Sequence, residues 1–333
     1  IVAKRRINHR QRRRINANRD QKVAKAKGAL DTFDETQLSP ELKGLVVKHV
    51  RYHVEVEDQS RSRYRCHLRQ HLSGLVVGDE VVFRVTPDGH GVVEARLERR
   101  SELIRHVPYE GGKAIAANVD QMFIVSAPKP DFNSQVIDRY LVAAENLNIT
   151  PIVVLNKLDL LSRPNALKAD IDTYTSLGYQ CLLISTKKGD GLSELKVQLQ
   201  GANSIFVGQS GVGKSSIVNA LLPQLALETQ PLSDNSGLGQ HTTTSVNLYH
   251  LPESGTIIDS PGVREFSLWH IDKDQLVEGF IEFRSRQHLC KFRDCLHLDD
   301  PGCAIKHAVE EREISFKRYD SYQRILQSIM DNQ

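Results

Sequence analysis

Gly208-Gln209-Ser210-Gly211-Val212-Gly213-Lys214-Ser215 fits G-x-x-x-x-G-K-[ST], the pattern of a phosphate-binding P-loop. The residues on either side suit it. Ser204–Val207 reads as a short buried strand and Ser216–Leu222 as the helix that follows. The glycines let successive backbone N–H groups turn inward toward phosphate oxygens, and the helix adds its positive N-terminal end to the same spot. Lys214 is expected to reach the β- and γ-phosphates, Ser215 to hold Mg²⁺ through its hydroxyl, and Ser216 to complete the loop's contacts. A strand, this loop and a helix together predict an α/β domain that binds a nucleoside triphosphate.

The base is chosen by residues that come earlier in the chain. The apolar strand Pro151–Leu155 delivers Asn156-Lys157-Leu158-Asp159, an N-K-x-D pattern. A carboxylate at Asp159 can accept from both guanine N1–H and the exocyclic N2 amine, whereas adenine offers no matching pair of donors. A buried carboxylate left unpaired would reject adenine strongly. A second strand, Cys181–Ile184, leads into Ser185-Thr186-Lys187, which is like the S-A-K loop that closes over guanine. Downstream of the P-loop, Thr256–Ile258 leads into Asp259-Ser260-Pro261-Gly262, a D-x-P-G element in which Asp259 and Gly262 sense Mg²⁺ and the γ-phosphate. Four such motifs, each at the C-terminal end of an apolar strand, point to a GTPase.

Their order is unusual. Conventional GTPases begin with the P-loop and end with the guanine-specificity motifs. Here N-K-x-D and S-T-K precede the P-loop, and His241-Thr242-Thr243-Thr244 and D-x-P-G follow it. The expected strands are 121–127, 151–155, 181–184, 204–207, 245–251 and 256–258. That is a six-strand sheet whose second half comes first, a circular permutation, which chain termini lying close together make tolerable.

The remaining sequence adds a module on each side. Residues 1–27 carry eleven Lys/Arg and one acid, a charge of +10 that leaves −7 on the rest of a chain whose total is +3. With few apolar residues this arm is expected to be disordered when free and to neutralise RNA phosphates. Residues 41–105 hold five short alternating segments separated by glycine, proline and aspartate turns, which suggests a small OB-type barrel. Arg61, Arg63, Arg65, Arg69 and His71 would give it a basic face for RNA, although such barrels also bind protein. Residues 274–287 read as one amphipathic helix. Beyond it, Cys290-x4-Cys295-x-His297-x5-Cys303 has the donor set of a closed structural zinc site, with no position open for catalysis. His288 and His307 flank the cluster but break its pattern, and Cys66 and Cys181 sit in apolar strands as core residues. A last helix, 315–330, should pack on the zinc loop and leave Lys317, Arg318 and Arg324 outward.

Composition is consistent with these modules. A hydrophobic share of 40% and a charged share of 26% are ordinary for a soluble protein. No run approaches the ~18 apolar residues of a membrane span. The basic N-terminus lacks the apolar stretch of a signal peptide, and five cysteines, three of them clustered with a histidine, suit a reducing compartment. A cytoplasmic monomer that does not contact membrane is expected. The sequence opens on Ile1 rather than methionine, so earlier residues are expected to be missing from this numbering.

The permuted motif order, the basic N-terminus and the cysteine cluster together resemble the bacterial RsgA/YjeQ family, over nearly the whole chain. The stretches GQSGVGKSS, SDNSGLGQHTTT, DSPGVREF and CKFRDCLHLDDPGCAI carry the likeness. The resemblance implies a ribosome-stimulated GTPase acting late in assembly of the small (30S) subunit and touching 16S rRNA. It implies an OB-fold barrel at 39–105 after the arm and linker at 1–38, a circularly permuted GTPase domain at 106–268 and a zinc-binding helical domain at 269–333. One of Thr242 and Thr243 should complete the Mg²⁺ shell with Ser215. The sequence leaves open which, and Thr243 is carried forward as that ligand. Val263 stands where Ras-like enzymes place a water-orienting glutamine, so hydrolysis needs another group. By family pattern the nearest polar candidate is His241, against the plainer reading of a solvated loop histidine. Arg264 is a second candidate.

Overall fold

The computed structural model describes residues 38–50, 53–69, 72, 74–107, 111–161, 163, 166–225, 246–259 and 271–331. The arginine-rich arm, His71, His241, Thr242, Thr243, Gly262 and Arg264 lie outside them. The chain divides into two compact units.

The first unit is a five-stranded barrel. Its strands are β1 (Leu42–Val50), β2 (His53–Asp58), β3 (Arg63–Leu68), β4 (Glu80–Val85) and β5 (Gly91–Arg96). They follow one another around the ring as β1-β2-β3-β5-β4, and β4 pairs back to β1. The β3–β5 pair is parallel, whereas β2–β3 and β4–β5 are antiparallel. Alternation places Val46, Val54, Val56, Cys66, Val81, Phe83 and Val93 inside, each 0% exposed. Burial there pushes the Cys66 thiol up to about 12, as befits a core cysteine. The outer arginines are less available than the sequence implies. Arg69 bonds both oxygens of Glu94 at 2.7 and 2.8 Å, and Arg63 donates to Glu57 at 3.0 Å.

In the second unit the hairpin β6 (Glu102–Val107) and β7 (Gly111–Ala117) comes first, an element that the sequence pattern does not announce. The remaining strands are β8 (Gln121–Ser126), β9 (Thr150–Leu155), β10 (Gln180–Leu183), β11 (Asn203–Val207), β12 (Asn247–His250) and β13 (Thr256–Asp259). They form a sheet in the order β12-β13-β11-β8-β9-β10. All neighbours are parallel except the edge pair β12–β13. Phe123, Val125, Val154 and Phe206 from these strands pack with Ile217, Val218 and Leu221 of the following helix in one apolar core. Near-continuous apolar runs are what strands covered on both faces require.

Helices α1 (Ser134–Asn146), α2 (Lys168–Ser176), α3 (Leu192–Gln198) and α4 (Lys214–Leu221) belong to this sheet. The C-terminal helices α5 (Lys273–Gly279), α6 (Ile281–Arg284), α7 (Ala304–Glu310) and α8 (Phe316–Met330) follow.

Two expectations about this C-terminal part need correction. The single helix read at 274–287 is broken at Phe280, whose φ and ψ of −92° and 94° are extended. The break follows Gly279, which lies so close to α1 that an added Cβ would meet Val142 at 2.5 Å. The second concerns Arg318, expected to face solvent. Its side chain is 1% exposed and lies between Asp138 of α1 and Glu282 of α6. A helical pattern marks a charged residue as outward only while its neighbours offer no buried carboxylates, and here they offer two. Lys317 and Arg324 do face outward, at 64% and 62% exposure. Among the described residues no helix is long and apolar enough to cross a membrane.

Candidate functional site

Three loops leave the C-terminal ends of parallel strands of one sheet, the position where open α/β sheets bind ligands. The P-loop follows β11, N-K-x-D follows β9, and S-T-K follows β10, while Asp259 closes β13. Sheet order brings β13, β11, β8, β9 and β10 side by side, so motifs scattered over a hundred residues of chain converge on one edge.

The P-loop's glycines are sterically demanded at two points. Gly208 has φ 131°, and a Cβ there would lie 2.1 Å from the Val125 carbonyl oxygen. Gly213, with φ 101°, would put a Cβ 2.4 Å from Asn156 Nδ2. Between them Gln209 and Ser210 span the turn and Val212 is buried at 1% exposure. Gly213 caps α4, and Lys214, Ser215 and Ser216 form its first turn. The Lys214 side chain is buried, with Nζ donating to the carbonyls of Gly208 at 2.6 Å and Gln209 at 2.5 Å. The ammonium is therefore held across the mouth of its own loop.

The N-K-x-D residues bind the loops to each other. Asn156 is fully buried; its Nδ2 donates to the Val212 carbonyl at 3.1 Å, and its Oδ1 accepts from Thr186 N and Oγ1, both at 3.3 Å. Lys157 takes a left-handed φ of 62° and stretches along the P-loop, where Nζ donates to Gly211 O at 2.5 Å and Lys129 O at 3.1 Å. Burial pulls its ammonium below the usual range, against the attraction of Asp159. The Asp159 carboxylate accepts from Ser185 Oγ at 2.7 Å, the main reason its carboxyl lies below the usual carboxylate range, and Lys187 adds its charge in the same direction. Ser185 is buried and Lys187 exposed. An anion, a fixed amide and a cationic loop thus stand beside a nest of backbone N–H groups. That arrangement can hold a planar base with paired donors at one end and phosphates at the other.

The second cluster lies in the C-terminal helices. Ligand atoms of Cys290, Cys295, His297 and Cys303 all fall within 4.8 Å of one another. His297 Nδ1 is 3.5 Å from Sγ of both Cys290 and Cys303. A tetrahedral ion bonded to sulfur at about 2.3 Å and nitrogen at about 2.0 Å would set those atoms roughly 3.5 Å apart, so the residues fit a metal ion. Backbone N–H groups of Ala304 and Lys306 point at the sulfurs of Cys290 and Cys303, each at 3.4 Å. Burial pushes the Cys295 thiol up to about 12 and Cys303 upward as well, so thiolates at these two positions would form only around a compensating cation. His307 faces away and approaches Glu311 at 3.7 Å, and His288 is outside the cluster. The last helix, expected from the sequence to pack on this loop, supplies the hydroxyls that hold it in place. Tyr319 Oη donates to the His297 carbonyl at 2.7 Å and Tyr322 Oη to that of Leu296 at 2.9 Å.

Taken with its loops, the sheet defines a circularly permuted G domain. In a conventional chain β11, β12 and β13 would precede β8, β9 and β10, and the cut here falls between β13 and β8. A family model described as RsgA GTPase matches residues 96–269. Relatives named small ribosomal subunit biogenesis GTPase RsgA are 46% identical in Vibrio parahaemolyticus, over 100% of this chain and 96% of the relative, and 45% identical in Haemophilus influenzae, over 99% and 97%. YjeQ from Thermotoga maritima is similar in structure, with a TM-score of 0.72 and 34% identity over 87% of this chain and 99% of that one. YloQ, described as a circularly permuted GTPase, gives 0.71 and 30% over 88% and 96%. The chain belongs to the RsgA GTPase family.

Proposed function

We propose that this protein hydrolyses GTP to GDP and phosphate while bound to the small (30S) ribosomal subunit, as a late assembly factor that contacts 16S rRNA. The observation that carries the reading is Asn156, which ties the P-loop to the S-T-K loop beside the Asp159 carboxylate. Asp159 would read guanine N1–H and N2, and Ser185, Thr186 and Lys187 would close over the base. Residues 208–216 would wrap the phosphates, with Lys214 leaving its loop carbonyls for the β- and γ-oxygens. Mg²⁺, which neutralises charge on the phosphates when bound, would be held by Ser215 and Thr243, with Asp259 and Gly262 beside it. His241 would orient or deprotonate the attacking water. Zinc is the ion that suits three sulfurs and one imidazole in a closed site.

The closed ring β1-β2-β3-β5-β4 supports an OB-type barrel. Of the expected domains at 39–105, 106–268 (GTPase) and 269–333 (zinc-binding), after an arm and linker at 1–38, the boundary between the first two falls inside β6, and we assign the β6–β7 hairpin to the GTPase side. The family names and the basic arm support a cytoplasmic protein that works on RNA, and we take it to act as a monomer. Val263, in the position of a water-orienting glutamine, favours a second reading: a nucleotide-dependent scaffold in which hydrolysis is incidental. GTP turnover with and without 30S subunits, with 50S as control, tests the two. A large 30S-specific rise is expected, and flat turnover despite tight GTP binding would leave the scaffold.

A further inference from the structure

The core of the C-terminal helices is not closed on itself. Val142, from the middle of α1, is one of its members, packed with Phe280, Phe283 and Tyr322. Helix α8 works on two sides of this core. Toward α1, Arg318 donates to Asp138 and, through Nε at 2.7 Å and Nη2 at 3.2 Å, to Glu282 of α6, with its guanidinium 4.4 Å from the Phe280 ring centre. One residue further along, Tyr319 grips the carbonyl of the metal-ligating His297, and Tyr322 grips the residue before it. The His297 ring also lies edge-on to Phe283 at 6.1 Å. The seat of α8 on the nucleotide domain and the shape of the cysteine loop therefore rest on neighbouring residues of one rigid helix.

The ionic end of this helix is imperfectly satisfied. Asp138 Oδ2, Tyr179 Oη and Ser321 Oγ are buried without a hydrogen bond of good geometry, Ser321 lying beside Asp138 and Tyr179 beside Glu145, and all three surround Arg318 or its carboxylates. A buried ion cluster contributes little net stability, but removing one partner leaves an uncompensated buried charge, so any seating of the helix that separates Arg318 from Asp138 and Glu282 is costly. It acts as a latch that specifies position.

We propose that metal binding at the cysteine cluster and the docking of α8 on α1 are one linked equilibrium, with Arg318 as the latch and Tyr319 as the tie to the ligand loop. This rests on the metal reading of the cluster. Because coupling is reciprocal, a change at either end must appear at the other. Metal loss loosens the amides of α1, which lies in the nucleotide domain, and opening the latch speeds metal release.

The test uses full-length, metal-loaded protein and two readouts: the rate of zinc release to a chromogenic chelator, and hydrogen exchange of α1 amides with and without metal. Arg318→Met and Tyr319→Phe should each release zinc about tenfold faster or more, a typical coupling magnitude, while the exposed control Gln327→Ala, whose side chain bonds Asp331 at the end of the same helix, should match wild type. Wild-type α1 should exchange faster once the metal is removed. Unchanged release from Tyr319→Phe, which removes only a hydroxyl, together with α1 exchange indifferent to metal would overturn the linkage. A wild-type chain that binds no zinc, or that keeps it after Cys295→Ser/Cys303→Ser, would overturn the metal reading beneath it instead.

Discussion

Truncating Asn156 to alanine tests whether the guanine and phosphate loops are held as one body. The side chain is 0% exposed and makes three hydrogen bonds, at 3.1, 3.3 and 3.3 Å, to Val212 and Thr186. Two are long, so we take their net worth at about 0.5 kcal/mol each and the third at about 1 kcal/mol. Removal also strands the Thr186 amide and the Val212 carbonyl, and leaving such groups unsatisfied adds roughly 1–2 kcal/mol. The sum is about 3–4 kcal/mol. If the strap only pre-shapes the site, this appears in affinity, as a roughly 140- to 700-fold weaker Kd for guanine nucleotide at 1.4 kcal/mol per decade. If it also stabilises the ligand-free fold, the thermal midpoint falls by about 2–4 °C for each kcal/mol felt there. Titration with a fluorescent GDP analogue, alongside thermal unfolding with and without nucleotide, separates the two. Asn156→Asp sharpens the result, because it retains acceptors for Thr186 but sets an oxygen against the Val212 carbonyl; it should be as damaging as alanine. A Kd within twofold of wild type and an unmoved midpoint for Asn156→Ala would refute the strap.

Asp159→Asn should weaken GTP and admit xanthosine triphosphate, measured by competitive binding; retained guanine preference would remove Asp159 from base recognition. Ser185→Ala should raise the Asp159 pKa, because the donated hydroxyl is the main cause of its depression. A carboxyl held below its unfolded pKa stabilises the fold above that pKa and loses the contribution as pH falls through the folded value; the variant, lacking the donated bond, has less of it to lose and protonates at higher pH. Carboxyl-resolved NMR titration reads this directly, and an unchanged value would contradict the assignment. Gly213→Ala should abolish nucleotide binding in a chain that still folds, since its Cβ meets the Asn156 amide at 2.4 Å in a backbone conformation that alanine avoids; near-normal affinity would mean that the loop relaxes freely.

The sheet and its loops were legible because their signals are local. An apolar run followed by Gly208–Ser215 or by Asn156–Asp159 specifies a strand and the chemistry at its end, and the observed strands fall within a residue or two of the expected ones wherever they are described. The four residues of the cysteine cluster were legible for the same reason, since their spacing is carried by one loop. What the sequence hid are relations between distant segments. Arg318 looks like any outward charge on an amphipathic helix until Asp138, 180 residues earlier, is brought against it. Residues 274–287 keep a helical period through Phe280, yet the chain breaks there, next to the glycine packed on Val142. Hairpin β6–β7 has no strong alternation because Gly111, Gly112 and a run of alanines fill one of its strands.

Permutation gives the position of α1 a consequence. The cut makes β13, with Asp259 at its end, the last strand of the sheet and β8 the first. The chain leaving Asp259 next enters the C-terminal helices, and these are fastened to α1, the helix that follows β8. Asn146 Nδ2 donates to the Gln275 carbonyl at 2.9 Å, Arg284 pairs with Glu145 at 2.8 Å, and Gly279 sits on Val142. Both ends of the cut sheet therefore meet through the added helices rather than through a peptide bond. A conventional G domain gets that closure from its covalent chain; this one gets it from packing and from Arg318. Side-chain closure can be opened at far less cost than a bond can be broken. The permuted topology therefore makes the fit of the C-terminal helices part of the integrity of the nucleotide domain itself.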